Sequence, residues 1–285
     1  VDLNGFDGSS IYFASGDLDN DGDEDLVAVK SSTWVRVYIN SGQGTFSTPQ
    51  MVLSPVSTLR FLILADLDGD GVLDLLMNDQ FDDQVLWYHG LGNGLFGLSA
   101  VSISTSDIVW SGCVADLDAD GDNDLVGATN GLYGWAANDG GGTFGAWQTI
   151  GSATSEEEVR TADLDGDGDP DVLGITDGNT SLWWPNDGSG QFGPQQVIAT
   201  SLDGLEANLV ADLDGDGDLD VLPSGGLHSW YTNNGSGQFT LAQTITTADL
   251  GVCKLADVDA DGDMDLLELN RQLSWYANDG NGGMG

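Results

Sequence analysis

Short apolar runs, mostly four to six residues long, recur along the chain between clusters of Gly, Asn and Asp. Four such runs make one unit. The first precedes an acidic stretch, as in residues 60–65 (RFLILA) and 207–211 (ANLVA). The second follows that stretch at once, as in 25–29 (DLVAV) and 171–175 (DVLGI). The third carries Trp and ends in turn residues of the type N-D-G-x-G; a Phe and a fourth run, such as 195–198 (QQVI), come next. Runs this short, bounded by turn formers and lacking a helical period, predict β-strands. With 42 Gly and almost no Ala/Glu/Lys/Leu-rich stretch, helix is nearly excluded.

The acidic stretch has the pattern D-x-D-x-D-G-x-x-D and begins at Asp17, Asp66, Asp116, Asp163, Asp212 and Asp257. The spacings are 49, 50, 47, 49 and 45 residues, 48 on average. Four short strands repeated at this period are the signature of β-propeller blades, with an open solenoid as the competing architecture. The two ends favour the propeller. Aligned on the repeat, Gly285 falls level with Gly193 and Val1 with Gln196, so the chain stops about where it began, one circuit later. Six periods of 48 would take 288 residues, against 285 present. The expectation is all-β: a six-bladed β-propeller of four-stranded blades, residues 1–285 forming a single domain. Val1, Asp2 and Leu3 are expected to complete the last blade as its outer strand, so that no sheet edge is left free. Labelled A to D outward, the strands of each blade carry the acidic stretch as the A–B loop and the N-D-G turn as the C–D loop, at one end. The B–C and D–A connections lie at the other.

Alternate Asp side chains at positions 1, 3 and 5 converge when Gly at position 6 turns the loop sharply, and position 9 returns another carboxylate from the next strand. Such all-oxygen sets suit a hard divalent cation, Ca²⁺ above all. The candidate ligands are Asp17, Asp19, Asp21, Asp23 and Asp25 in the first loop, and Asp66, Asp68, Asp70, Val72 and Asp74 in the second. Asp116, Asp118, Asp120, Asp122 and Asp124 form the third set, and Asp163, Asp165, Asp167, Asp169 and Asp171 the fourth. The fifth is Asp212, Asp214, Asp216, Asp218 and Asp220; the sixth is Asp257, Asp259, Asp261, Asp263 and Asp265. Val72 has no ligating side chain, so position 7 is expected to offer its backbone carbonyl. No His or Cys lies within the loops, which disfavours zinc there. About six structural Ca²⁺ are expected.

These loops resemble those of the FG-GAP/VCBS repeat family, the integrin-α-like propellers, and the resemblance covers the whole chain. It implies Ca²⁺ bound at these Asp positions and roles in extracellular adhesion, in lectins or in accessory modules of secreted enzymes.

Composition sharpens this picture. Of 47 acidic residues 41 are Asp, against 6 Lys and Arg together, for a formal net charge of −41. A surface so short of cations argues against nucleic acid and anionic membranes. No apolar run reaches membrane-spanning length, so membrane insertion is not expected. The chain opens at Val1 without a signal-like segment, which reads as a mature product or an excised piece.

Trp87, Trp135, Trp183, Trp230 and Trp275 stand three residues before the C–D turn of units 2 to 6, with Val37 in unit 1. Phe46, Phe96, Phe144, Phe192, Phe239 and Met284 recur after it. Repetition at one register fits packing between blades; a ring of sugar-stacking platforms is the sharper alternative. Cys113 and Cys253 lie in units 3 and 6, one register apart, and are expected to stay unpaired packing residues. His89 and His228 occupy non-equivalent positions, and no nucleophile elbow, zinc triad or phosphate loop is present, so an enzyme is not expected.

The repeats disagree at the end opposite the acidic loops. Lys30, Arg60 and Arg271 fall there beside Trp34, Phe81 and Trp110, and these six are the candidates for a ligand-binding face. The functional expectation is a non-enzymatic, secreted module, extracellular or at the cell surface, that binds or adheres, with carbohydrate as the leading partner. The alternatives are a protein partner or self-association, as in a structural subunit of a surface appendage, filament or layer, and an accessory domain of a secreted enzyme.

Overall fold

The computed structural model describes residues 11–30, 34–48, 50–53, 59–79, 84–103, 105, 108–152, 158–176, 179–202, 204–225, 228–246, 252–270 and 272–285. Blade 1 comprises β1 (Ile11–Gly16), β2 (Asp25–Lys30), β3 (Trp34–Tyr38) and β4 (Gln50–Leu53). Blade 2 comprises β5 (Leu62–Ala65), β6 (Asp74–Asp79), β7 (Gln84–Tyr88) and β8 (Val101–Ile103). In blade 3 these are β9 (Ser111–Ala115), β10 (Asp124–Ala128), β11 (Leu132–Ala136) and β12 (Gln148–Ser152). Blade 4 runs through β13 (Val159–Ala162), β14 (Asp171–Thr176), β15 (Thr180–Trp184) and β16 (Gln196–Ala199). Blade 5 has β17 (Ala207–Ala211), β18 (Asp220–Ser224), β19 (His228–Thr232) and β20 (Thr240–Thr246). Blade 6 shows three strands among the described residues: β21 (Val252–Ala256), β22 (Asp265–Asn270) and β23 (Gln272–Tyr276).

Each blade is a separate sheet with its strands paired in chain order. Together they make a six-bladed β-propeller of antiparallel blades, the all-β class that the repeat predicts. The expected closing strand at residues 1–3 lies outside the described residues. By its contacts the chain divides into two compact units. One takes Val1–Val114, Asp120–Thr129 and Trp135–Gln148; the other takes Ala115–Ala119, Asn130–Gly134 and Thr149–Gly285.

The second strand of each blade explains the apolar runs. In β10 and β14 the strand is sandwiched on both faces, so Leu125 and Val126, like Val172, Leu173 and Ile175, are buried without alternation. The cores lie between successive blades. In the first unit Val27, Val29, Val35 and Val37 of blade 1 meet Leu75 and Met77 of blade 2. In the second, Leu173 and Trp183 of blade 4 meet Val221 of blade 5.

The recurrent Trp residues complete these cores. Trp87 lies under Gly142 of the next blade's C–D turn, Trp183 under Gly237 and Trp230 under Gly282, and a Cβ on any of these glycines would collide with the indole. These glycines also hold φ between +67 and +82°, where side chains are strained. Trp87, Trp135, Trp183 and Trp230 are buried, as packing requires, whereas Trp275 is 47% exposed.

Candidate metal centres in the blade loops

Every A–B loop is built by its own carboxylates. Position 1 accepts backbone N–H groups from across the turn: Asp17 from Asp21 and Gly22, Asp163 from Gly166 and Gly168, Asp212 from Gly215 and Gly217. Position 5 accepts from position 7, as Asp167 does from Asp169 N at 3.0 Å and Asp261 from Asp263 N at 3.1 Å. Position 6 is a Gly with φ between +84 and +102° in every loop. Position 4 is left-handed as well: Asn20, Ala119 and Ala260 hold φ of 57–62°, and Gly69, Gly166 and Gly215 take the same region. The sequence motif leaves this second reversal unmarked, because Ala supplies it in two loops.

Position 9 does more than return a carboxylate. Asp171 is fully buried; one oxygen accepts from Leu164 N at 2.8 Å and the other from Asn186 N at 2.8 Å. Asp25, Asp74, Asp220 and Asp265 repeat this arrangement, so position 9 ties the A–B loop to the C–D turn of its own blade. The turn Asn then ties blade to blade. Asn186 Nδ2 donates to Pro170 O at 3.1 Å and to Leu117 O of the preceding blade at 2.8 Å. Asn138, Asn233 and Asn278 donate in the same way, reaching Leu67, Leu164 and Leu213. Sequence reasoning saw these Asn as turn formers only; their constant place after position 9 was the available signal.

Position 3 is different. Oδ1 of Asp19, Asp68, Asp165 and Asp214 is buried and accepts no hydrogen bond from the protein. A buried oxygen with no donor is costly, and a bound cation would supply what is missing. In the first and fourth loops one oxygen each from positions 1, 3 and 9 lies within 4.8 Å of the others; in the second loop positions 1, 3 and 5 do so. Oxygens sharing one Ca²⁺ at 2.3–2.6 Å stand at most about 5 Å apart, so the donor set fits such an ion in chemistry and spacing. The position 7 carboxylates of Asp23, Asp122, Asp169, Asp218 and Asp263 lie against the Gly of their own C–D turn.

The electrostatics agree with a cage short of positive charge. Burial, then the neighbouring charges of Asp167 and Asp163, raises the Asp165 carboxyl above its ordinary range. Burial pushes Asp171 up to about 7 and Asp220 up to about 6, although each accepts two backbone N–H groups.

The second loop departs from this plan. Val72 stands at position 7, and Gly90 replaces the turn Asn. His89, just before it, brings Nδ1 to 2.9 Å from Asp68 Oδ2 and 3.6 Å from Asp74 Oδ1. In the fifth blade Thr232 takes that place and its hydroxyl donates to Asp214 Oδ2 at 2.9 Å.

Of the candidate ligand face, the structure brings together Arg60 and Trp110, the guanidinium 4.8 Å above the ring. Arg60 is exposed. Trp34 is buried, packed with Ala28 and Tyr38 beneath the Arg36 guanidinium at 4.0 Å, which corrects its expected place on that face. Strand alternation in β3 puts it on the face of blade 1 that carries Ala28 and Tyr38, opposite the face of Val35 and Val37 that meets blade 2. Phe81, Arg271 and the side chain of Lys30 lie outside the described residues.

Sequence reasoning also kept apart His228 and Cys253, which the fold places side by side: Cys253 Sγ is 3.5 Å from His228 Nε2. Neither cysteine is in a disulfide, as expected. Burial and then the Glu268 charge push the Cys253 thiol up to about 11.

The fold and its loops define a repeat propeller with an acidic A–B loop in each blade. The model of the FG-GAP-like repeat matches residues 17–77, 66–127, 116–174 and 163–222, well over half of the chain, and the chain belongs to that family. Curated protein sequences contain no match. Among solved structures, the chain is similar to an Agrocybe aegerita lectin that specifically recognises non-reducing terminal N-acetylglucosamine. That likeness is at 22% identity and a TM-score of 0.76, over 98% of this chain and 79% of that one. It is also similar to the BP39L lectin of Burkholderia pseudomallei, at 13% identity and 0.64 over 93% and 83%. BBS1N, solved in complex with ARL6DN, matches at 10% identity and 0.65 over 94% and 78%. At these identities the likeness is one of fold. No helix among the described residues is long and apolar enough to cross a membrane.

Proposed function

We propose that this chain is a non-enzymatic, calcium-stabilised propeller that works outside the cell as a carbohydrate-binding or adhesion module. The buried, undonated oxygen at position 3 of four loops, on Asp19, Asp68, Asp165 and Asp214, carries the calcium part of the reading. With Ca²⁺ in place, positions 1, 3, 5 and 9 would hold it and the ion would supply the positive charge that the cage lacks. Ca²⁺ loops of this kind suit the millimolar calcium of the extracellular space. The fold shared with two lectins supports carbohydrate as the ligand class. A Cys253 thiol held protonated near neutral pH supports a binding rather than a nucleophilic role.

Within this reading, the exposed Arg60 above Trp110 offers a cation and an apolar ring for an anionic or hydroxyl-rich ligand. A glycan array probed in Ca²⁺ and in chelator tests it. The expected result is Ca²⁺-dependent retention of a restricted glycan set, weakened at least tenfold by Arg60→Glu with melting unchanged. Absence of any retained glycan in Ca²⁺, with filaments or sheets of the same sample under electron microscopy, would replace it by the structural-subunit reading.

A further inference from the structure

The acidic loops contain no histidine in sequence, yet the fold brings an imidazole to one of them. Just before the C–D turn, blades 1, 3, 4 and 6 carry Ile39, Ala137, Pro185 and Ala277, none of them polar. Blade 2 has His89 there. Its carbonyl accepts from Gly97 N at 2.8 Å, and the Trp87 ring meets the imidazole edge-on, with 86° between the planes. Nδ1 stands 2.9 Å from Asp68 Oδ2 and 3.6 Å from Asp74 Oδ1. Although the side chain is 44% exposed, Nδ1 itself is buried and makes no hydrogen bond. At 2.9 Å only direction can be at fault, so the carboxylate oxygen lies off the axis of the ring nitrogen. Two ligands of one ion stand in this way, because each aims its lone pair at the ion and not at the other. Asp68 Oδ1 is buried as well and accepts nothing.

We infer that the second loop takes a first-row transition-metal dication of zinc's size in preference to calcium, with His89 Nδ1, Asp68 and Asp74 as its ligands. The inference rests on the reading of the loops as cation cages and changes which cation this one selects. One donor atom from each of these three residues lies within 4.8 Å of the others. Imidazole is a ligand of zinc and its neighbours, whereas calcium collects oxygens, six to eight at a time. With bonds of about 2.0–2.1 Å, separations of 2.9 and 3.6 Å subtend about 90° and 120° at the ion, both open to zinc, which has no d-electron preference. The oxygen shell has thinned on the same side. Val72 takes the place of the position 7 carboxylate and lies against Gly90 and Gly92 with its methyl groups. The remaining donors are already oriented. Asp74 is fully buried and accepts from Leu67 N and Gly90 N, and Nε2 of His89 faces Asp70 Oδ2 at 3.9 Å, the outer carboxylate that a ligating imidazole commonly has.

The test is calorimetric titration of the full chain with Zn²⁺ in saturating Ca²⁺, which keeps the other cages filled. The expected result is one equivalent bound, weakened at least tenfold in His89→Ala, a variant that retains every carboxylate of the loop. NMR of the histidine-labelled parent needs no variant: the His89 ring nitrogens should shift with the first equivalent of zinc, while those of His228 stay in place. A parent chain that binds no zinc in excess Ca²⁺ overturns the site and leaves a direct ion pair of His89 with Asp68. Equal zinc binding by the parent and His89→Ala overturns it too, since the acids alone would then suffice, and so does zinc that moves the His228 signals instead. Ca²⁺-dependent melting of the same samples should persist in His89→Ala. Its absence from the parent, with His89-dependent zinc binding intact, would overturn the calcium reading and leave this site standing.

Discussion

In the fourth loop five carboxylates surround one turn, Asp171 at its base is pushed up to about 7, and Asn186 straps the turn to the blade before it. The second loop keeps the same glycine turn and the same hydrogen bonds from Leu67 and the C–D turn to its position 9 carboxylate, Asp74. Yet Val72 removes one acid, Gly90 removes the strap, and the His89 imidazole stands 2.9 Å from the position 3 carboxylate. One backbone therefore carries two electrostatic solutions. The fourth loop keeps all five acids, whereas the second has shed one and placed an imidazole beside its position 3 carboxylate. The backbone is common because position 9 builds it; the charge it carries differs because position 7 and the C–D turn differ.

The largest expected effect on this contrast is calcium removal. With several cages each contributing about 2–3 kcal/mol at a hundredfold excess of ion over Kd, chelation should lower Tm by more than about 10 °C. Mg²⁺, which demands a tighter octahedron, should restore little of it. A calorimetric melt that is the same in chelator and in Ca²⁺ would remove the contrast altogether.

Next comes position 9. Asp171→Ala leaves the Leu164 and Asn186 N–H groups without an acceptor, and Asp74→Ala does the same to Leu67 and Gly90. Each should cost roughly 3–5 kcal/mol in denaturant melts, with or without calcium, since the loss is of backbone hydrogen bonds. If the cost vanished in chelator, position 9 would be a ligand and nothing more.

The pH response should change sign with calcium. In chelator Asp171, at about 7 against an ordinary 3.8, is held protonated more firmly in the folded chain than in the unfolded one. Its stabilising effect is complete below the unfolded value and is lost as pH rises towards about 7. Stability should thus fall between pH 4 and 7 in chelator and rise over the same window in calcium, where protons compete with the ion. Melting curves at stepped pH decide it; a rise in both conditions would mean that Asp171 ionises normally.

Smaller still is the strap. Asn186→Ala should cost about 1–3 kcal/mol, a few degrees in Tm, by freeing Leu117 O of blade 3 and Pro170 O of its own blade. The smallest effect belongs to His89→Ala, expected within about 0.5 kcal/mol in calcium at pH 8 because the imidazole is 44% exposed. Its signature is instead a greater sensitivity of the second blade to chelation, read by hydrogen exchange of β6.

Much of the site was legible in the chain because it is local. Positions 1, 5 and 6 close a turn within nine residues, so the repeat spelled out the loops, their glycines and, through turn signals at a fixed period, the number of blades. The inward Trp register was legible for the same reason, since strand alternation places equivalent residues alike.

What the sequence could not supply was set by contacts over long separations. Position 9 as a keystone, the Asn straps reaching carbonyls 65–71 residues away, and the burial of Trp34 depend on how blades stack. So does the meeting of His228 with Cys253 and Glu268, which occupy unrelated positions in two repeats and come together only through strand register and blade packing. Local geometry follows from residue type and spacing. The pairing of donors across blades follows from the packing of side chains that the repeat itself does not rank, and only the folded structure fixes it.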